Sequence, residues 1–291
     1  MQPRPTNSTI FDDRRCELGE GPLWHPLRQQ LFWFDITANT MLSQDSTGPR
    51  HWLFPEMVSA AGWVSPDQLL IAGETSLFLF DLSTETSTPL CPLEADIPTN
   101  RPNDGRADPQ GGFWIGTMSK TEAPGTGAIH RYHEGELRRL YSGISCPNAI
   151  CFTPDGQTAQ FTDNAHGRVM RVGLDAQGWP KADPVVFLDL AAQGRDPDGA
   201  VIAADGVLWI AEWGSARVAS YAPDGQFLRA IGFDAPHTSC PAFGGPDLTT
   251  LYCTSALQGM DNAARASHPH AGKTFAARGI TRGQSEHRVI P

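Results

Sequence analysis

The hydrophobic positions of the chain fall in short runs, and a turn motif introduces each run. The motif recurs at intervals of about 40 to 50 residues. Its second residue is Pro26, Pro66, Pro109, Pro154, Ala204 or Pro246. Proline pre-sets φ for the first central position of a turn, and the Asp-Gly pairs that follow in some copies supply polar, φ-permissive residues. The alternating or continuous apolar residues after each turn are typical of a buried strand.

Further strand candidates follow within the units, and no long stretch has sustained helical periodicity. These candidates are LFLFDL, GAIHRYH, RVMRVGL and RVASYA. Units of about 40 to 50 residues with several strands each indicate propeller blades. We therefore predict an all-β fold for residues 1–291, a single domain forming a six-bladed β-propeller with four-stranded blades around a central channel. The alternative is a pair of β-sandwiches with coincidental turns.

Two terminal segments bear on how the ring closes. The N-terminal STIFDDR and the C-terminal EHRVIP are both strand-like and could pair with each other. Such pairing would join the two ends of the chain in one blade.

One residue of each unit lies at the same offset before its turn. Six positions back from the turn residues stand Glu20, Ala60, Asn103, Asn148, Asp198 and Cys240. We expect this position near the innermost strand, which lines the channel. Asp or Asn before Gly is common in turns, so each polar residue taken singly is explained by a turn. Four polar residues at one blade offset favour a shared site instead.

Acids and carboxamides that converge on a channel axis predict a cation site. Two carboxylates that face each other in a partly dry channel repel unless a cation or a proton joins them. Oxygen ligands suit one hard or borderline divalent cation, namely Ca²⁺, Mg²⁺, Mn²⁺, Zn²⁺ or Fe²⁺. Three protein oxygens leave positions open for water and substrate, as in catalytic sites.

Composition and charge narrow the classes of partner. The chain has 40% apolar and 19% charged residues, a formal charge of −10 and no Lys/Arg run. Nucleic acid and anionic membrane are therefore excluded as expected partners, because both need a basic face. No apolar leader and no stretch of about 18 apolar residues are present, so a soluble, cytoplasmic protein is expected. The cysteines lack metal-ligand spacing and are expected to be reduced and mostly buried.

At these residues the sequence resembles the senescence-marker-protein/gluconolactonase family, which includes regucalcin and bacterial sugar lactonases. The matching segments are CELGEGPLWHP, NRPNDGRADPQGGFWIGTM, CPNAICFTPDG, DPDGAV and CPAFGGPDLTTLY. The resemblance implies a divalent metal bound by Glu20, Asn148 and Asp198, with Asp198 also the acid/base. It further implies substrate contacts from Arg101, Asn103 and Glu122.

The resemblance implies metal-dependent hydrolysis of a sugar (aldono-)lactone to the open-chain acid. A lactone is an activated ester, so its hydrolysis needs carbonyl polarisation and delivered water more than a covalent nucleophile. Three alternatives remain: a calcium-binding regulatory propeller without turnover, an aldarolactonase whose Arg101 binds a second carboxylate, and an interaction platform. No GxSxG, GxGxxG or GxxxxGK[ST] motif supports another enzyme class. The sequence gives no indication of the oligomeric state.

Overall fold

The strands form six separate four-stranded antiparallel sheets arranged as the blades of a propeller. The structure is a computed structural model that describes residues 8–291. The predicted six-bladed β-propeller is confirmed. Blades are numbered here along the chain, and the strands of each blade are given from the innermost to the outermost.

The first three blades follow the chain without interruption. Blade 1 comprises Gly19–His25, Gln30–Asp35, Thr40–Asp45 and Gly48–Leu53. Blade 2 comprises Val58–Ser65, Gln68–Gly73, Ser76–Asp81 and Thr86–Pro92. Blade 3 comprises Asn100–Ala107, Phe113–Ser119, Gly127–His133 and Glu136–Ile144.

The last three blades complete the ring. Blade 4 comprises Pro147–Phe152, Thr158–Asp163, Arg168–Gly173 and Val185–Asp189. Blade 5 comprises Pro197–Ile202, Leu208–Glu212, Arg217–Tyr221 and Phe227–Gly232. Blade 6 comprises Thr238–Gly244, Thr250–Ser255, Thr274–Ala277 and Ser8–Asp12.

The hydrophobic core lies on the inner part of each blade and between neighbouring blades. In blade 1 the two inner strands are buried along their whole length, whereas the outermost strand of blade 3 is largely exposed. Aromatic rings join adjacent blades: Trp114 packs edge-on against Phe152, and Trp209 packs edge-on against Phe243. The apolar runs read from the sequence are therefore the sheet faces that hold the blades together.

The Asp-Gly turns fold as their residues require. Gly156 and Gly206 have φ of +68° and +82°, a region that side chains with a Cβ rarely adopt. Before each glycine an aspartate side chain closes the turn, since Asp155 Oδ1 accepts the Gln157 N–H at 3.0 Å and Asp205 Oδ1 accepts the Val207 N–H at 3.1 Å. These turns join the innermost strand of a blade to its second strand.

The ring closes in blade 6, with one difference from the sequence prediction. Ser8–Asp12, within STIFDDR, pairs antiparallel with Thr274–Ala277. The expected pairing with EHRVIP is wrong, because that segment forms no strand and lies across the end of the channel. Residues 1–7, where part of the leader prediction falls, lie outside the described residues.

The C-terminal segment (284–290) spans the end of the channel at which the innermost strands finish. Gln284 Nε2 donates to the carbonyls of Phe152 and Ile202, at 3.0 and 2.9 Å. Trp63 Nε1 donates to the Glu286 carbonyl at 2.8 Å. Because these bonds reach blades 2, 4 and 5, the segment covers the channel at this end.

Helices contribute little to the described part of the chain. It contains one α-helix, Asn262–Ser267, and one 3-10 turn, Ala191–Gln193. Within residues 8–291 no helix has the length and apolarity needed to cross a membrane. The cysteines are free thiols, and Cys16, Cys151, Cys240 and Cys253 are buried.

Candidate active site

The six residues at the common blade offset all lie in innermost strands, close to where those strands begin. Each of them is at most 6% exposed. The turn alternative that was set aside for Asp198-Gly199 and Asn103-Asp104-Gly105 does not apply, since both segments lie within innermost strands. The equivalent residues of blades 2 and 6, Ala60 and Cys240, complete the ring and carry no charged side chain.

A local irregularity in the strands directs these side chains. The register between the two inner strands shifts between Glu20 and Leu23, and again between Asn148 and Cys151. Gly21 has φ of +54°, and a Cβ placed on it would lie 2.2 Å from the Ser59 carbonyl oxygen. Only glycine fits there, and the resulting bulge re-aims the neighbouring side chain. The backbone conformation and the close approach of Ser59 therefore explain why glycine stands at position 21, directly after Glu20.

Glu20 and Asp198 are buried carboxylates that repel each other. Burial raises the pKa of Glu20 to about 8, with a further contribution from the charge of Asp104. Burial also raises the pKa of Asp198 well above its ordinary value, and the negative charge of Glu20 is the next cause. Among residues 8–291 neither carboxylate has an ion-pair partner. Such a pair is stabilised by a cation or by a retained proton.

A chain of hydrogen bonds links Arg101 to Asn148 along the wall of the channel. Arg101 Nη1 donates to Asn103 Oδ1 at 2.8 Å. Asn103 Nδ2 in turn donates to Asn148 Oδ1 at 3.0 Å and to the Pro147 carbonyl at 3.0 Å. This donor fixes the Asn148 carboxamide so that its oxygen, rather than its NH₂ group, is presented on the side of Asn103.

These residues line one cavity of about 430 Å³ at the start of the innermost strands. Glu20, Arg101, Asn103, Glu122, Asn148 and Asp198 all lie on its wall. Glu122 is exposed, and Gln258 Nε2 lies 3.5 Å from its Oε1. Trp213 also lines the cavity and stacks on His237, with the ring centroids 4.3 Å apart. The structure thus brings all six predicted site residues to one cavity.

The donor set suits a divalent cation. Within residues 8–291 no cluster of three or more His, Cys, Asp and Glu side chains is arranged for a metal. The predicted set instead combines two carboxylates with one carboxamide oxygen, a combination typical of oxygen-liganded cations. The raised pKa values of Glu20 and Asp198 express the electrostatic cost that a cation would remove. On these grounds the residues fit a metal.

Sequence reasoning missed three other groups, two that line the cavity and one whose charge acts on Glu20 and Asp198. Asp104 is buried, and its Oδ2 accepts the Ile150 N–H at 2.7 Å. Burial raises the pKa of Asp104 to about 6. Asp196 and Cys146 line the cavity. None of the three stands at the common offset, although Asp104 directly follows Asn103, and Cys146 and Asp196 stand two positions before Asn148 and Asp198.

Comparison with known proteins gives the family. The sequence profile described as SMP-30/Gluconolactonase/LRE-like region matches residues 18–257. The chain therefore belongs to the SMP-30/gluconolactonase/LRE-like family, and the predicted resemblance is confirmed.

Three similar proteins illustrate the range of the family. A protein of Rhizobium meliloti (strain 1021), provisionally named a sugar lactone lactonase, is 41% identical over 274 residues, which cover 93% of each chain. L-arabinolactonase of Azospirillum brasilense is 33% identical over 277 residues, covering 93% of this chain and 91% of the relative. A crystal structure described as a calcium-binding protein, regucalcin, from Agrobacterium tumefaciens str. C58 is 36% identical, with a TM-score of 0.97 over 100% of both chains. The lactonase relatives bear out the prediction of a hydrolase that acts on ester bonds.

Proposed function

We propose that this protein hydrolyses a sugar lactone, an aldonolactone of five or six carbons, to the open-chain sugar acid with the help of one divalent cation. The observation that carries the proposal is the pair of buried carboxylates, Glu20 and Asp198, at the wall of a cavity that Arg101 and Asn103 also line. A cavity of about 430 Å³ is within the range usual for small-molecule sites. The names of the lactonase relatives support the same chemistry.

Glu20, Asn148 and Asp198 would hold the cation. When bound, it would polarise the lactone carbonyl and make water more acidic. Asp198 takes a proton from the attacking water as the new C–O bond forms at the carbonyl carbon. The ring C–O bond then breaks, and Asp198 returns that proton to the ring oxygen, which leaves as an alcohol. One water is consumed, and a carboxylic acid and a hydroxyl group are produced.

Arg101 and Asn103 would bind the substrate. The guanidinium of Arg101 is held by its bonds to Asn103 Oδ1 and to the Pro102 carbonyl, both through Nη1. Its remaining N–H groups supply directional donors for sugar hydroxyls or for the developing oxyanion. Glu122 at the rim would accept hydrogen bonds from hydroxyl groups of the sugar.

The charges of the cavity favour a neutral lactone over an aldarolactone. Among the described residues that line it, Arg101 is the one cationic side chain, whereas Glu20, Glu122, Asp196 and Asp198 are acidic. A second carboxylate on the substrate would meet this acidic surface, and like charges in a partly dry site repel. We therefore place aldonolactones ahead of aldarolactones.

A second function is a calcium-binding protein without turnover. The observation that favours it is the match over the full length to the structure described as a calcium-binding protein. Both functions would use Glu20, Asn148 and Asp198, so the cation alone does not distinguish them.

Turnover by metal-stripped protein separates the two functions. A panel of pentono-, hexono- and aldarolactones is assayed by acid release, with spontaneous hydrolysis subtracted, before and after one cation at a time is returned. We expect turnover of aldonolactones only after a cation is added. Tight Ca²⁺ binding with no turnover of any lactone would support the second function. Turnover that a chelator leaves unchanged would contradict the proposal that hydrolysis depends on a bound cation.

A further inference from the structure

The second strand of every blade ends beside the segment that leads into the innermost strand. The six residues at this end are Asp35, Gly73, Ser119, Asp163, Glu212 and Ser255. The acidic ones belong to blades 1, 4 and 5. These are the blades that carry Glu20, Asn148 and Asp198.

Asp35 binds the backbone that leads to Glu20. Its Oδ2 accepts the Glu17 N–H at 2.8 Å, and its Oδ1 accepts the Leu18 N–H at 3.0 Å. Asp35 is 8% exposed. The two N–H groups belong to the residues three and two positions before Glu20.

Asp163 makes the same pair of bonds in blade 4. Its Oδ2 accepts the Ser145 N–H at 3.1 Å, and its Oδ1 accepts the Cys146 N–H at 3.0 Å. Asp163 is 7% exposed. The bonded residues again stand three and two positions before the predicted ligand, Asn148. Blades 1 and 4 thus share the same pair of hydrogen bonds, three and two positions before the predicted ligand.

Glu212 serves blade 5 through a side chain instead of the backbone. Its Oε2 lies 3.5 Å from Nε of Arg195, the residue three positions before Asp198. Arg217 Nε donates to the same oxygen at 2.7 Å and holds the buried carboxylate in place. The longer glutamate therefore restrains the same segment by an ion pair.

In the described residues of blades 2, 3 and 6, which carry no predicted ligand, no carboxylate stands at the end of the second strand to bind this segment. Ser119 Oγ lies 3.0 Å from Thr121 Oγ1, and Ser255 Oγ donates to the Lys273 carbonyl at 2.6 Å. Gly73 has no side chain to bind with. Since these three blades have the same four strands, the carboxylate is not needed to build a blade.

We infer that Asp35, Asp163 and Glu212 are positioning residues that fix the backbone before each of the three metal-binding side chains. Hydrogen bonds to an ionised carboxylate are short and strong, and buried ones leave little freedom to the segment they bind. Groups that orient metal ligands commonly change metal affinity by about 10- to 100-fold when removed. The inference rests on the proposed metal-binding set.

The test uses the residue that the chain itself has at the equivalent position elsewhere. Asp35→Ser and Asp163→Ser introduce the serine of blades 3 and 6, so both variants are expected to fold. Asp81→Ser is the matched control, because Asp81 accepts the backbone N–H groups of Ser83 and Thr84 in an exposed turn of blade 2. Metal-stripped proteins are titrated with Ca²⁺ and with Zn²⁺ against a chromophoric chelator, without substrate.

We expect each site variant to bind the cation about 10- to 100-fold more weakly, and the control to bind as the unchanged protein does. Lactone turnover by the site variants should recover as the cation concentration is raised. The melting temperature in excess chelator is measured in parallel. Variants that melt earlier but keep the affinity of the unchanged protein would overturn the inference, because the carboxylates would then act on stability alone.

A variant that fails to fold does not end the test. Asp35→Asn and Asp163→Asn each keep one acceptor oxygen and lose the other, and the same affinity ratios apply to them. An unchanged protein that binds neither cation would overturn the proposed function, and the inference with it. Unaltered affinity in the variants of a protein that does bind the cation would overturn the inference alone.

Discussion

The carboxamide of Asn103 donates a hydrogen bond of 3.0 Å to Oδ1 of Asn148. Asn148 is the one uncharged member of the proposed metal-binding set, so its affinity for a cation depends on how its oxygen is oriented. Asn103→Ala should weaken cation binding by about 10-fold or more, the size usual for residues that orient metal ligands. Chelator competition measures the change.

Asn164→Ala provides the control for Asn103. Asn164 also lines the cavity, but its Oδ1 accepts from Thr162 Oγ1 and it has no bond to a proposed ligand. Its removal should leave the cation affinity unchanged. Equal losses in the two variants would contradict an orienting role for Asn103.

Asp198→Asn should lose bound metal and nearly all activity, with kcat/KM falling by at least about 100-fold, the lower range for loss of a general base. Glu20→Gln should lose metal likewise, since the two carboxylates are expected to share one cation. Elemental analysis and lactone turnover check both outcomes. Asp205→Asn alters an exposed turn of the same blade and should change neither. Unchanged metal content in both site variants would place the metal elsewhere.

Arg101→Ala should raise KM for an aldonolactone by about 10-fold or more, because a hydrogen bond from a charged group contributes about 1.5 to 3 kcal/mol. The guanidinium offers no acceptor to a cation, so metal should remain bound at saturating concentration. Steady-state kinetics with added metal measures the effect. Loss of metal under these conditions with KM unchanged would contradict the assignment.

The stability of the metal-free protein should depend on pH through Glu20. The pKa of Glu20 in the folded protein is raised from 4.5 to about 8. The unfolded chain releases this proton more readily, so the stabilising contribution is complete below about pH 4.5 and is lost as the pH rises through about 8. The melting temperature in excess chelator should therefore fall from pH 5 to pH 8.

A bound cation would remove this penalty, so it should raise the melting temperature more at pH 8 than at pH 5. Glu20→Gln, which has no proton to lose, should show a flatter dependence on pH in chelator. Thermal scans of both proteins at the two pH values, with and without metal, give the comparison. A cation effect that is the same at both pH values would argue against the buried carboxylate pair as the metal site.

The C-terminal segment should be important for stability through Glu286. Its Oε1 lies 2.5 Å from Arg106 Nη1, and both side chains are at least nine-tenths buried. Glu286→Ala leaves a buried guanidinium without its partner and should lower the free energy of unfolding by about 3 to 5 kcal/mol. Glu136→Ala removes an exposed pair with Arg138 and should leave the free energy of unfolding almost unchanged, because solvent screens that pair. Urea unfolding measures both values.

The sequence determined the fold to a large extent because the propeller repeats one local pattern. Turn chemistry and strand hydrophobicity are properties of neighbouring residues, and six copies of the pattern indicated both the number of blades and one buried position in each innermost strand. Glu20, Asn103, Asn148 and Asp198 could be selected in this way without knowledge of any contact, and the family resemblance implied which three of them bind the metal. The pairing of EHRVIP was wrong because strand-like composition does not specify which strand edge, if any, a terminal segment meets.

Other residues that act on the site do not stand at the common offset, and only the tertiary structure reveals them. Asp104 lies in an innermost strand, and both its burial and the effect of its charge on Glu20 depend on residues far away in the chain. Asp196 lines the cavity from the segment just before the innermost strand of blade 5. Asp35 and Asp163 stand at the ends of second strands, where only the antiparallel pairing brings them to the backbone before Glu20 and Asn148. A repeat in the sequence places equivalent residues in equivalent positions, whereas hydrogen bonds between strands and the electrostatics of a closed channel arise from the folded ring.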